Sequence, residues 1–346
     1  MDILQNIFEQ ELNDALEKTK KERTVEEVEG SISDIIKQTI PDIAKSIITS
    51  LKEQSIENIA QDRLDMQGFV YRNIKRWKDG FHSLEMFIAV CMEAGSEFNN
   101  LNRPQAVDDQ NVIFDVVVRL HARACHISSE ILWLLKGGFP DAAQARWRAL
   151  HEVVVTALVL LDHDNDLSVR YLEHEIVECY KGMVQCNKYE PRLNVEKFSE
   201  EEIAECKQAY DEALDKYGKQ YKEGYGWASE ILNNPRPNFF NLEEAAGLDY
   251  LRPYYKWASQ NIHANVHGIK NQLGLVEAQE DILLAGPSNS GMTDPAQLTS
   301  LSLMQISTCM LEIYPNIDSL VIKHIIEELS NEVGELFWKV ESAENP

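Results

Sequence analysis

Apolar residues along this chain recur mainly at helical spacing. Ile35, Ile36, Ile40, Ile43, Ile47, Ile48 and Leu51 follow steps of three and four, which predicts a helix over residues 31–54, with Pro41 marking a break or a fresh start. The pattern continues over 67–98. Residues 99–108 then read as a loop, because Asn102, Pro104 and Asp108 are turn formers. A helix is predicted over 109–136, and Gly137-Gly138-Phe139-Pro140-Asp141 supplies a stop and a restart. Glycine ends a helix in the left-handed conformation, and Asp141 is a candidate cap for the next helix, 142–161. Asp162–Asp166 forms the following turn. Further helices are predicted at 168–188, 199–223, 250–272, 297–313 and 316–341, and residues 281–296 form the clearest long loop.

Two valine runs, 116–118 and 153–155, have strand composition, but each lies inside a long stretch free of Gly and Pro, and length decides for helix. From Val153 to Leu161 every residue except Thr156 is apolar. A helix apolar on all sides is surrounded by other helices. The expected fold is therefore all-α: a multi-helix bundle (61–346) with a central buried antiparallel hairpin, preceded by an N-terminal helical arm (1–60) that begins with an amphipathic stretch over 1–24.

Composition agrees. The 346 residues include 16 Gly and 11 Pro, about 8% together against an average near 12%. The formal charge of −24 comes from 33 basic and 57 acidic side chains. It repels polyanions at long range, which argues against general DNA binding or an anionic membrane surface. Screening within about 8 Å still allows a local basic site. Six scattered cysteines with no C-x-x-C pair, no apolar signal segment in 1–24 and no 18-residue apolar run predict a chain with reduced thiols in the cytoplasm.

Chemistry concentrates in the central hairpin. Arg119, Arg123, His126 and Glu130 share one helical face, and Arg146-Trp147-Arg148-Ala149-Leu150-His151-Glu152 stands at the entrance to the apolar helix. Between residues 116 and 151 five basic side chains (Arg119, Arg123, Lys136, Arg146, Arg148) face two acids, Glu130 and Asp141. Antiparallel partners sit equally far from a turn centred on Phe139, which puts Glu130 opposite Arg148 and His126 opposite Glu152. One polar cluster of His126, Glu130, Arg148, His151 and Glu152 is expected. Buried charges need partners, so this cluster reads first as an ionic network that sets the hairpin register. It also reads as a site: His151 as general acid or base, Arg146 on a phosphate, with Arg148 and Glu130 orienting them, cleaving RNA without metal. The same cavity also suits a small ligand.

A second polar stripe, Tyr255, Ser259, His263, His267 and Asn271, recurs every four residues. His263 and His267 have metal-ligand spacing but no third ligand is evident, so no metal or other cofactor is assigned. His263, oriented by Tyr255 and Ser259, is the second candidate. Arg72, Lys75, Arg76 and Lys78 around Trp77 form a basic patch, read as a solvated face or as an RNA or phosphate contact. P-loop, G-x-G-x-x-G and G-x-S-x-G patterns are absent. The arm is the candidate contact for a second copy or a partner protein.

The residues from Ser129-Glu130-Ile131-Leu132 through Gly138-Phe139-Pro140-Asp141-Ala142 to Arg146–Glu152, with Tyr255, Ser259 and His263, resemble an uncharacterised bacterial family, domain of unknown function 5677, over about 110–315. That resemblance implies a helical fold. More distantly, Arg146 and His151 are similar to the R-x4-6-H motif of the HEPN superfamily of helical ribonucleases and nucleotide-binding proteins. That similarity implies a commonly dimeric toxin or anti-phage defence protein with metal-independent ribonuclease activity. Trp147 stands where the motif often has a polar residue. A non-catalytic interaction or regulatory module is the rival expectation.

Overall fold

The corner at Gly137–Pro140 illustrates how local chemistry shapes this molecule. Gly138 takes a positive φ of 83°, and the amides of Gly137, Gly138 and Phe139 bond back to the carbonyls of Trp133, Leu135 and Leu134, closing the helix end. Pro140 then starts the next helix, where its missing N–H costs nothing. The computed structural model describes residues 25–263 and 266–344, so the expectation for 1–24 lies outside the described residues.

The helices in chain order are α1 Val25–Arg76, α2 Lys78–Asp108, α3 Val112–Lys136, α4 Pro140–Leu161, α5 Asn165–Glu173, α6 Glu175–Leu193, α7 Glu200–Tyr217, α8 Phe239–Ala245, α9 Arg252–Ile262, α10 Val266–Lys270, α11 Thr293–Leu311 and α12 Ile317–Glu344. Short 3-10 turns link α7 to α8 and α8 to α9, and another follows α10. Among the described residues there is no strand, and no helix is long and apolar enough to cross a membrane. The chain divides into two compact units at Phe69/Val70.

In the second unit α3 and α4 pack along each other. α11 covers both and also contacts α2 and α12, while α9 lies on α4. The central position of α4 is borne out: Val154, Val155, Ala157, Val159 and Leu160 are buried. Trp147 is wholly buried, its indole N–H shared between the Leu298 carbonyl and the Ser302 hydroxyl, which locks α4 to α11. Trp77 and Phe81 close one end of the core on Phe337.

Several expected boundaries are corrected. Pro41 does not break the helix. It removes one donor, and α1 runs through it from Val25 to Arg76. Residues 99–108 are helical, not a loop. The turn-forming side chains there bond into their own helix instead: the Asn102 amide donates to the Phe98 carbonyl and Arg103 Nε to Asn99 Oδ1. The real break comes at Gln110, with φ 53°, after which Asn111 caps α3 by accepting from the Phe114 amide. The 67–98 helix is split at Trp77, 168–188 at His174, and 250–272 after Ile262; the helix predicted over 199–223 ends at Tyr217, before Gly218. Asp141 caps nothing in α4; Phe139 holds that position without a side-chain bond.

One close approach requires glycine. A Cβ on Gly95 would lie 2.4 Å from the ring of His121. His121 is buried, shares a hydrogen bond with Ser307 at 2.9 Å, and burial lowers its pKa to about 4. All six cysteines are free thiols, and burial pushes Cys91 and Cys125 up to about 12.

Candidate functional site

α4 advances about 100° per residue, so Arg146 and Arg148 point about 200° apart. That geometry divides the expected single cluster into two. On one side Arg146 Nε donates to Glu130 Oε2 across the hairpin at 2.5 Å, and His126, largely exposed, stands 3.4 Å from Glu130 Oε1. On the other side Arg148 Nε donates to Glu152 Oε1 at 3.1 Å, and the Tyr255 hydroxyl donates to that same oxygen at 2.6 Å. Among the described residues no hydrogen bond or ion pair joins the two groups. The expected pairs Glu130–Arg148 and His126–Glu152 are therefore corrected. The hairpin pairs Glu130 with Arg146, two residues nearer the turn, and Glu152 looks to α9.

His151 belongs to the second side and lies deeper. Its Nε2 is 3.0 Å from Glu243 Oε1, and both side chains have no exposed surface. Arg252 pairs with the other oxygen, Glu243 Oε2. A carboxylate accepts, so Nε2 carries the hydrogen of this bond, and Nδ1 is buried without a partner. Aromatic rings enclose the imidazole: Trp147 stacks on it at 5.2 Å, Phe239 meets it edge-on at 5.7 Å and Tyr255 stands at 5.9 Å. Both guanidiniums lie over the Tyr255 ring, Arg148 at 4.8 Å and Arg252 at 5.1 Å. Burial first, and then the Glu152 and Glu243 carboxylates against the two arginines, hold the Tyr225 phenol up at about 12. Burial and the bond to Glu152 likewise raise Tyr255.

Two arginines meet two glutamates here, so the network is balanced in charge. Its bonds join α4, α8 and α9, with His151 Nδ1 left over. Two further hairpin cations are paired, Arg119 with Asp115 and Lys136 with Glu85, while Arg123 is exposed. In the basic patch Trp77 is core and one terminal nitrogen of Arg76 donates to both Glu277 carboxylate oxygens, while Arg72, Lys75 and Lys78 are exposed.

The second candidate face is not one helix. α9 ends at Ile262, and His263, exposed, follows in extended conformation. The Ser259 hydroxyl donates to the Tyr255 carbonyl and the Tyr255 hydroxyl to Glu152, so neither orients His263. The His267 side chain lies outside the described residues. Among the described residues no three His, Cys, Asp or Glu side chains are placed to hold a metal ion.

Glu243, Arg252, Phe239 and Tyr225 escape sequence reasoning. Glu243 is ninety-two positions from His151, and no periodicity links two helices so far apart. The sequence offers little signal: Glu243 is followed by a second acid, Glu244, and nothing in the spacing marks which of the two is buried. Asp141 also has an unforeseen role. Its two oxygens accept the amides of Leu273 and Gly274, while Ser288 and Ser290 donate to the Gly274 carbonyl and the Ser288 amide to the Gly138 carbonyl. The long loop is thereby sewn onto the hairpin corner.

Residues 114–281 match the model of a family of unknown function, DUF5677. The match takes in α3 through α10, beginning near the expected 110 and ending short of 315. No curated protein and no solved structure matches the chain.

Proposed function

We propose that this chain is a non-catalytic helical interaction module: a bundle whose polar cluster is structural, and an N-terminal helix that pairs with a second copy of the chain. The observation that carries this reading is the apolar row on α1. Ile40, Ile43, Ile47 and Leu51 fall within about 80° of one another around the helix axis. Ile40, Ile47 and Leu51 are 52%, 36% and 59% exposed. A row advancing by three and four residues is self-complementary, because the same seam on two helices interdigitates. Each isoleucine it buries would contribute about 1.5–3 kcal/mol. The net charge of −24 weighs against nucleic acid as the occupant.

The zero exposure of His151 and Glu243 supports the non-catalytic half of the reading. A general base must come within hydrogen-bond reach of its substrate, and Arg146 and His151 face different acids. The HEPN-like ribonuclease is the second reading, favoured by the orphaned His151 Nδ1. It requires α8 to withdraw Glu243 and open the pocket to RNA.

The test is sedimentation equilibrium on the full chain at micromolar concentration, with Ile40→Lys/Ile47→Lys alongside. The expected result is a dimer that the double variant weakens at least ~100-fold, with unchanged helical content and no cleavage of added RNA. A wild-type monomer overturns the pairing. RNA cleavage that disappears in a folded His151→Gln variant overturns the non-catalytic reading.

A further inference from the structure

The face of α4 that carries Trp147, Arg148 and His151 begins one turn earlier, at Gln144. Gln144 is 3% exposed, and its Oε1 is buried without a hydrogen-bond partner. A buried amide oxygen left unmade costs about 1–3 kcal/mol, and no structural bond here offsets it. Gln144 lines a cavity of about 370 Å3, together with Trp257 and Asn261 of α9, Asp294 of α11 and the segment 270–276. That volume suits a small ligand.

The walls are held in place before anything binds. Asp141 grips the Leu273 and Gly274 amides, and two serine hydroxyls hold the Gly274 carbonyl. Trp257 is 50% exposed and braced edge-on by Tyr254 at 5.3 Å. Its ring is thus a rigid platform whose remaining surface is open. Lys270 and Asp294 stand at the rim with opposite charges, so the cavity favours a ligand without net charge. A primary amide presents an acceptor and a donor side by side, which matches a ligand edge bearing a donor next to an acceptor.

We propose that this cavity binds a small, uncharged, planar heterocyclic amide, stacked on Trp257 with its donor–acceptor edge read by Gln144. The ring supplies the flat surface that tryptophan stacks best. Its N–H satisfies the Gln144 oxygen, and its carbonyl accepts from the Gln144 amide nitrogen. Asn261 and Gln272 add further amide groups to the lining. This inference is independent of pairing through α1, because every residue in it belongs to the second compact unit.

The test uses the full chain with uracil and nicotinamide as probes at millimolar concentration, and benzoate as a planar control without the amide edge. Binding is read by calorimetric titration and by quenching of tryptophan fluorescence. Either heterocycle is expected to bind saturably and benzoate at least tenfold more weakly. Gln144→Leu, similar in shape and free of the orphaned oxygen, should keep or raise the melting temperature and weaken binding at least tenfold. Trp257→Ala, at a half-exposed position, should weaken binding comparably without unfolding the chain. The proposal is overturned if neither heterocycle binds, if benzoate binds equally well, or if binding survives Gln144→Leu.

Discussion

Replacing Glu243 with alanine removes the one group that satisfies both His151 Nε2 and the Arg252 guanidinium. The two losses differ in size. Arg252 is 27% exposed and recovers part of its hydration, so it costs less than the 3–5 kcal/mol typical of a stranded buried charge. His151 has no exposed surface, and its donor is left unmade at about 1–3 kcal/mol. Removing the carboxylate side chain also opens a void beside the buried His151 imidazole. Together these put the loss at about 3–4 kcal/mol. At roughly 2 °C per kcal/mol for a unit of this size, the melting temperature should fall by about 6–8 °C. Glu243→Gln keeps the shape and one acceptor and should lose about 1 kcal/mol. Thermal unfolding followed by circular dichroism at neutral pH measures both. A Glu243→Ala protein melting within a degree or two of wild type would refute this structural role, as would Glu243→Gln being the worse of the two.

The remaining predictions concern the packing around the hairpin. His121 has its pKa lowered to about 4 by burial, against an unperturbed value near 6.5. The unfolded chain therefore takes up this proton first: stability is intact above pH 6.5, declines as pH falls, and is lower by roughly 3 kcal/mol at pH 4. Denaturant titrations between pH 7 and 4 should show that slope, and His121→Gln should flatten it. Asp141→Ala frees the Leu273 and Gly274 amides, so limited proteolysis should cut the 271–292 segment faster than in wild type, while α3 and α4 stay protected.

The hairpin was legible because its signals are local and strong. Gly138 needs a left-handed backbone, Pro140 suits a first helical turn, and the run from Val153 is too apolar for anything but the interior. Proline and asparagine misled where the helix absorbed them, at Pro41 and over 99–108, since propensity yields to an otherwise intact ladder. The candidate cluster was half legible. The sequence marks Glu130, Arg146, Arg148, His151 and Glu152, but equal distance from the turn says nothing about azimuth, and Arg146 and Arg148 diverge around α4. The partner that completes His151 came from α8, which no spacing predicts. Gln144 was readable in principle, one turn before Trp147 on the same face, but an uncharged amide attracts no notice until it is found buried without a partner.

The enclosure of His151 is open to direct chemical measurement. Brief treatment of the native chain with diethylpyrocarbonate, followed by peptide mass spectrometry, reports each histidine's reach to solvent. Exposed His126 and His263 should be modified within minutes, and His151 only after unfolding. A His151 that reacts in the folded chain as fast as His126 would contradict the account.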